Sequence, residues 1–145
     1  MEIYTIGFTQ KSAREFFTLL GQAGAGRLID VRLNNRSQLA AFTKSADLEY
    51  FLEVISRAEY MHEPILSPTK EILDGYKKKE LSWEQYETSF LALLAEREVQ
   101  RTIDRQLFEV PTVLLCSEPT PEHCHRRLVA EYLAEAWGGA RIVHL

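Results

Sequence analysis

The sequence predicts an α/β fold: a single three-layer domain over residues 1–145, with a mostly parallel five-stranded sheet flanked by helices. Short segments rich in β-branched and aromatic residues alternate with longer segments of helical apolar periodicity. Thr112–Cys116 contains a continuous apolar run, which is typical of a buried central strand in a parallel sheet. Because helical segments separate the strands, the strands are expected to run parallel, with helices on both faces of the sheet.

The first part of the chain is predicted to form strand, helix, strand and loop in that order. Glu2–Ile6 is short, β-branched and aromatic, as strands are. A helix follows, with Thr9 or Ser12 as its N-cap, because four apolar residues recur at helical spacing; they are Ala13, Phe16, Phe17 and Leu20. Leu28–Arg32 is the second strand. Asn34–Thr43 is predicted to be a loop, because it has turn residues and no clear period.

The middle of the chain repeats the pattern. A helix capped by Ser45 or Asp47 is predicted from a second apolar set at helical spacing, formed by Leu48, Phe51, Leu52 and Ile55. Tyr60–His62 is a short third strand. Pro68 stands at the start of a short helix over Thr69–Tyr76, since proline is favoured in the first helical turn.

The last part of the chain supplies the remaining helices and strands. Ser82 caps a long helical stretch that continues, or breaks and restarts, up to Leu107. Thr112–Cys116 is the fourth strand. Pro121 is expected at the first position of a helix that runs to Trp137, with Thr120 as its cap. Residues 140–144 form the fifth strand.

Composition excludes several classes of protein. The chain has 145 residues, a formal charge of −4 and two cysteines. It contains no apolar run of the roughly 18 residues that span a bilayer, and no basic, apolar leader at its start. Two cysteines do not make a disulfide framework, so a reducing, cytoplasmic location is expected. The acidic balance argues against non-specific nucleic-acid binding and leaves a specific nucleic-acid partner open.

A candidate site follows from the predicted sheet. Ligands of open parallel sheets bind beyond the carboxyl ends of the strands. Polar and reactive residues stand at or just after these ends, and we expect them to gather on one rim. The candidate catalytic residues are His62, Cys116, Glu118 and His125, and the candidate binding residues are Gly7, Thr9, Arg32, Arg36 and Arg126.

The segment from Cys116 to Arg126 carries the strongest signal. A cysteine between a strand end and a helix N-terminus lies near free backbone N–H groups, which stabilise a thiolate or a bound anion. Arg126 could clamp a phosphate or carboxylate, and Glu118 could be a general base or orient Arg126 or His125. Structural roles remain open: Cys116 as an apolar strand end, His125 as a core histidine, and Cys124 as a packing residue.

Structural roles are also open elsewhere on the rim. Asp30 lies in an apolar strand, and a buried carboxylate needs a partner. Arg32 is on the same strand face, so a structural ion pair is at least as well supported there as catalysis, and Arg126 could also reach Asp30. His62 is equally open between site and structure.

Metal and cofactor sites find little support in the sequence. Zinc motifs usually place ligand pairs two to four residues apart, whereas seven residues separate Cys116 from Cys124 and there is no second pair. A phosphatase loop would need a basic residue at the position of Glu122. Neither a dinucleotide fingerprint nor a Walker loop is present. We therefore expect no metal and no cofactor.

Motifs in the order seen here resemble the family of unknown function catalogued as DUF488. They cover essentially the whole chain and are Tyr4–Thr9, Leu28–Arg32, Tyr60–His62, Trp83–Tyr86 and Cys116–Arg126. The resemblance implies a compact α/β fold and a cytoplasmic prokaryotic protein, and it supplies no reaction. Family members typically carry a histidine where this chain has Phe8, and a proline- and arginine-rich stretch where it has residues 33–36.

Three functions are compatible with the sequence. The first is an enzyme or ligand-binding domain acting on a phosphate-bearing substrate, such as a nucleotide or a nucleic-acid base. The second is rhodanese-like sulfur chemistry at Cys116, although Pro119 and Pro121 disfavour the tight loop of that class. The third is a non-enzymatic binding module. The sequence does not decide the substrate or the oligomeric state.

Overall fold

The computed structural model describes residues 1–36 and 41–145, and part of the predicted loop over Asn34–Thr43 lies outside them. Five strands form one sheet: β1 (Glu2–Gly7), β2 (Arg27–Asp30), β3 (Glu59–His62), β4 (Thr112–Cys116) and β5 (Arg141–His144). Their order is β3-β2-β4-β1-β5, and every neighbouring pair is parallel. The prediction of a five-stranded parallel α/β sheet is therefore confirmed. Among the helices of the described residues, none is long and apolar enough to cross a bilayer.

Helices cover both faces of the sheet. They are α1 (Ala13–Gln22), α2 (Ser45–Phe51), α3 (Lys70–Lys77), α4 (Trp83–Glu96), α5 (Val99–Thr102) and α6 (His125–Ala136). One buried core joins α1 and α2 to strand residues such as Leu28 and Leu115, and the other joins α4 and α6 to Ile29 and Leu114. The two cores use alternating residues of the same strands, as a sheet buried on both faces requires.

Several predicted helix boundaries are confirmed. Ser12 caps α1 and Ser82 caps α4, each accepting a hydrogen bond from a backbone N–H of the first turn. The long helical stretch breaks at Glu98, whose φ of 49° is left-handed, and restarts as α5. Thr69 is the N-cap of α3, so this helix begins one residue later than predicted.

Other predicted boundaries are wrong. Neither Ser45 nor Asp47 caps α2, whose N-cap is Lys44 without a side-chain bond. The end of that helical region widens into a π-helical turn over Leu52–Ser56. The second strand ends at Asp30 rather than Arg32. After Asp30, the amide of Val31 still donates to the Leu115 carbonyl of β4, but the chain then leaves the sheet.

The helix predicted from Pro121 begins at His125 instead. The segment between β4 and α6 forms bends and a turn, in which the Cys124 amide donates to the Pro121 carbonyl. Cys124 is the N-cap of α6, and Thr120 does not cap it. The turn that Pro121 and Cys124 close occupies the positions of the first predicted helical turn, so the helix starts only after it.

Candidate thiol site at the sheet switch point

The candidate site lies where the chain connections diverge. The connection after β1 leads to α1 on one face of the sheet, and the connection after β4 leads to α6 on the other. These two strands are neighbours, with Gly7 beside Cys116. Open parallel sheets bind their ligands at such a topological switch point, because the loops separate there and leave a crevice.

The loops on the two sides of the crevice are held together by their backbones. The Thr9 amide donates to the Ser117 carbonyl over 3.1 Å. Gly7 lies so close to the next strand's loop that a Cβ there would be 2.7 Å from the carbonyl carbon of Glu118 and 2.9 Å from Nη1 of Arg126. Glycine is therefore required at position 7 by close packing.

A buried thiol cluster fills the α6 side of this crevice. The sulfurs of Cys116 and Cys124 and a ring nitrogen of His125 all lie within 4.8 Å of one another. Both cysteines are free, and Cys116 and Cys124 are 4% and 2% exposed. Cysteine and histidine are ligands that zinc takes, so these are the described residues able to hold such an ion. The expectation of a metal-free protein stays a prediction.

The geometry of His125 fixes its hydrogen-bonding roles. Nε2 lies 2.6 Å from the carbonyl oxygen of Val31, and a carbonyl only accepts, so Nε2 carries the proton. In the neutral ring Nδ1 then has a free lone pair, and it lies 3.4 Å from Sγ of Cys116. This arrangement makes Nδ1 an acceptor for the Cys116 proton.

The surroundings of Cys116 favour its thiolate. Burial raises the pKa of the Cys116 thiol, but the neighbouring groups outweigh burial and hold the pKa below its ordinary value. These groups are the Cys124 thiol, the charge of Arg126, and the backbone N–H groups of Ser117 and Glu118. Burial and the neighbouring Cys116 raise the pKa of Cys124 well above the ordinary value. Of the two cysteines, Cys116 is therefore the one whose thiolate form is favoured, and Cys124 is the one that keeps its proton more strongly.

Arg126 is a buried charged residue near this cluster, and its charge acts on Cys116. It is fully buried, and its Nη1 donates to the backbone carbonyl of Glu118 over 2.6 Å. Its Nε donates to the hydroxyl of Thr5 over 3.3 Å, and that hydroxyl lies 2.6 Å from Nδ1 of His144. Nη2 is buried without a hydrogen-bond partner among the described residues. Burial and the charge of Arg126 lower the pKa of His144.

A second network occupies the opposite face of the sheet. The buried carboxylate of Asp30 accepts two hydrogen bonds from the guanidinium of Arg32, at 2.9 and 2.8 Å, and one from the hydroxyl of Tyr60 at 2.7 Å. The Arg32 guanidinium also lies 5.3 Å from the centre of the Phe8 ring, within cation–π range. The Asp30–Arg32 ion pair, which was one of the two possibilities for these residues, is therefore present in the structure.

The candidate residues therefore lie along the carboxyl edge of the sheet but divide between its two faces. Cys116, His125 and Arg126 are together on the α6 face. Arg32 is buried with Asp30, and half-buried His62 places Nε2 2.8 Å from the Arg32 carbonyl oxygen.

The remaining candidates take backbone or surface positions. Glu118 is exposed and contributes its backbone carbonyl, rather than its carboxylate, to Arg126. Thr9 is exposed and contributes its amide to the loop contact. Arg36 lies on an exposed loop, where its amide donates to Asn34.

Sequence reasoning did not name Thr5, Tyr60 or Phe8 as members of the two networks, and it left Cys124 as a packing residue. Cys124 had a usable signal, since it directly precedes His125 and Arg126. The polar Thr5 inside an apolar strand was a second signal, because buried hydroxyls need partners.

Comparison with known proteins agrees with the resemblance in the motifs. The family model described as "Domain of unknown function DUF488" matches residues 12–133, which is most of the chain. The chain belongs to the DUF488 family. The match includes Asp30, Arg32 and the whole thiol cluster of this DUF488 protein, and begins after β1. The search of curated proteins and the search of solved structures returned no match.

Proposed function

We propose that this DUF488 protein is a thiol-dependent enzyme in which Cys116 is the nucleophile and which carries out sulfur transfer, the chemistry of rhodanese-like domains. The observation that carries the proposal is the contact of 3.4 Å between Sγ of Cys116 and the lone-pair nitrogen Nδ1 of His125. Catalytic cysteines are activated by an adjacent base and by positive charge, and both are present here.

His125 is the proton acceptor in this proposal. Its Nε2–H is held by the Val31 carbonyl, which keeps the ring oriented with Nδ1 towards the thiol. Nucleophile–base pairs usually include a third group that orients the base, and the Val31 carbonyl is that group here. His125 is also buried and edge-on to Phe90, with ring centroids 5.6 Å apart, so the ring has little freedom to turn away.

Arg126 and two backbone amides would stabilise the anions of the reaction. The Cys116 thiolate attacks the terminal sulfur of a small donor such as thiosulfate, the sulfur–sulfur bond of the donor breaks, and sulfite leaves with the electron pair. A Cys116 persulfide anion remains, with the same charge that the thiolate had. The N–H groups of Ser117 and Glu118 stand where they can donate to that anion.

Alkylation of Cys116 across a pH series tests the proposal. We expect the iodoacetamide rate of the wild type to reach half its maximum well below the roughly 8.5 of an ordinary thiol. Removing the base by His125→Gln should move this midpoint upward. His123→Gln is the matched control, because His123 is exposed and stacks on Trp83 outside the cluster. A wild-type midpoint near that of free cysteine would overturn the proposal.

A transfer assay separates reactivity from turnover. Wild-type protein should accept sulfur from thiosulfate and pass it to cyanide as thiocyanate, and Cys116→Ser should not. Thermal melts of both proteins establish that the serine variant is folded. A folded Cys116→Ser variant that retains the wild-type transfer rate would exclude Cys116 as the nucleophile.

A second candidate function is catalysis or binding at a phosphate-bearing substrate such as a nucleotide. It is favoured by Nη2 of Arg126, which is buried without a partner and suits an anionic oxygen. An open depression of about 440 Å³ is lined by Arg127 and His144, and His144 is linked to Nε of Arg126 through the Thr5 hydroxyl. In this candidate the exposed Glu118 is the general base. A thermal shift with nucleotides or phosphate that Arg126→Gln abolishes would support it.

The two free cysteines also support a reducing location. We propose that the protein is cytoplasmic, because a buried thiol pair stays reduced there. A nucleic-acid partner belongs to the second candidate function and would be detected by the same thermal-shift series with oligonucleotides.

A further inference from the structure

We infer that Cys116 and Cys124 form a peroxide-driven, reversible disulfide, with Cys116 as the peroxidatic thiol and Cys124 as the resolving thiol. The inference rests on the proposed function only in taking Cys116 as the nucleophile. Its basis is the placement of two free thiols, whose sulfurs lie within 4.8 Å of each other, on the two ends of one short connection.

The connection between the two cysteines can close the remaining distance. A disulfide needs a sulfur–sulfur separation of about 2.05 Å, so the sulfurs must approach by up to roughly 2.8 Å. Residues 117–124 contain no helix or strand, and Cys124 is the N-cap of α6 with extended backbone, at φ −134° and ψ 136°. Cys124 can therefore move with the loop, while α6 keeps its packing from His125 onward.

The two thiols are unequal in the way that the reaction requires. Sγ of Cys116 lies 3.4 Å from Nδ1 of His125, which can take its proton, whereas Cys124 lies at the far end of the connection with its sulfur close to that of Cys116. A nucleophile of high thiolate character reacts first with an oxidant, and a nearby thiol then condenses with the product.

The burial of the cluster determines the class of oxidant. Cys116 and Cys124 are only 4% and 2% exposed, so the disulfide of another protein cannot reach Cys116 while the loop keeps this position. Hydrogen peroxide is close to water in size and can enter. The geometry therefore points to a small peroxide as the substrate of this modification.

The chemistry balances in two steps. The Cys116 thiolate attacks one peroxide oxygen, the oxygen–oxygen bond breaks, and hydroxide leaves and takes a proton to form water, which gives Cys116 sulfenic acid. The Cys124 thiol then attacks that sulfur, releasing a second water and forming the disulfide. The two cysteines lose two electrons and the peroxide gains them. A dithiol reductant returns both thiols and is itself oxidised to a disulfide.

Intact-mass measurement on the full chain tests the inference. Wild-type protein treated with one equivalent of hydrogen peroxide should lose two hydrogens and fall from two alkylatable thiols to none, and dithiothreitol should restore both. Cys124→Ser should instead accumulate Cys116 sulfenic acid, which dimedone traps. Cys116→Ser should show neither product. Circular dichroism confirms folding, and Cys124→Ala serves as a second variant if the serine variant unfolds.

Four outcomes would overturn the inference, and the last of them leaves the proposed function standing. The first is dimedone-reactive sulfenic acid that persists in wild-type protein with both cysteines present. The second is a disulfide only between chains, seen as a dimer on non-reducing gels. The third is stoichiometric Zn²⁺ binding that protects both thiols from peroxide. Fast alkylation of Cys116 with no disulfide would refute this inference alone, while slow alkylation refutes the proposed function.

Discussion

Replacing Gly7 by alanine should destabilise the protein strongly, although it adds only one methyl group. The new Cβ would overlap the carbonyl oxygen of Glu118 and lie 2.7 Å from its carbonyl carbon and 2.9 Å from Nη1 of Arg126. Two of these three atoms belong to backbone, so a change of rotamer cannot relieve the overlap. The loop after β4 must move away from β1.

The cost follows from the contacts that this movement breaks. Overpacking a well-packed site costs about 1–3 kcal/mol. Moving the Glu118 carbonyl also removes the acceptor of the 2.6 Å bond from Arg126, and a hydrogen bond to a charged group contributes about 1.5–3 kcal/mol. The sum is roughly 2.5–6 kcal/mol. For a chain of this length each kcal/mol lowers Tm by about 3 °C, so the expected loss is roughly 8–18 °C.

Differential scanning calorimetry measures the effect, and the chain offers a matched control. Gly21 lies inside α1, and a Cβ there would meet nothing within 4 Å. Gly21→Ala should therefore raise Tm slightly, because alanine is favoured over glycine in a helix by up to about 1 kcal/mol. A Gly7→Ala protein that melts within about 2 °C of the wild type would show that the loop yields freely and would refute the reasoning.

Three further perturbations concern the buried networks. Asp30→Asn leaves Arg32 buried without its counter-charge and should cost about 3–5 kcal/mol in urea unfolding. Tyr60→Phe removes one hydrogen bond to Asp30 and should cost about 1–2 kcal/mol in the same assay. His144 has a folded-state pKa below its ordinary value, so the unfolded chain takes up the proton first as pH falls. Stability should be full above about pH 6.5 and decline below it, and His144→Gln should flatten this decline.

Each of these perturbations has a control. Glu59→Gln breaks the partly exposed pair with Arg27 and should cost no more than about 1 kcal/mol, in contrast to Asp30→Asn. Equal costs for the two variants would contradict the role of burial. A Tyr60→Phe protein as stable as the wild type would show that its hydroxyl bond adds nothing. An unchanged pH profile in His144→Gln would assign the acid sensitivity to another group.

The architecture was predictable because its signals are local. The apolar run of β4 and the helical spacing of Phe16, Phe17 and Leu20 each appear within a few residues, and a parallel sheet follows once helices separate the strands. The gathering of the reactive residues at one sheet edge was also predictable, because the carboxyl ends of parallel strands lie at the same edge. Cys116 stands at that edge as expected.

The arrangement within the edge was not predictable. Side chains alternate between the two faces of a strand, so whether Asp30 and Cys116 share a face depends on the relative register of β2 and β4. The structure places them on opposite faces. The role of Glu118 was hidden for another reason: its backbone carbonyl binds Arg126, and backbone groups are the same at every position of a sequence.

Arg126 places a buried positive charge near the thiol cluster. Arg32 is neutralised by Asp30, but none of the ion pairs within 4.0 Å among residues 1–36 and 41–145 includes Arg126, which is fully buried. A buried cation without a counter-ion is costly, and carbonyl and hydroxyl acceptors offset that cost only in part. The Cys116 thiol can supply a negative charge near Arg126, because the charge of Arg126 lowers the pKa of that thiol. A thiolate at Cys116 and the buried guanidinium of Arg126 therefore stabilise each other, because each charge reduces the cost of burying the other.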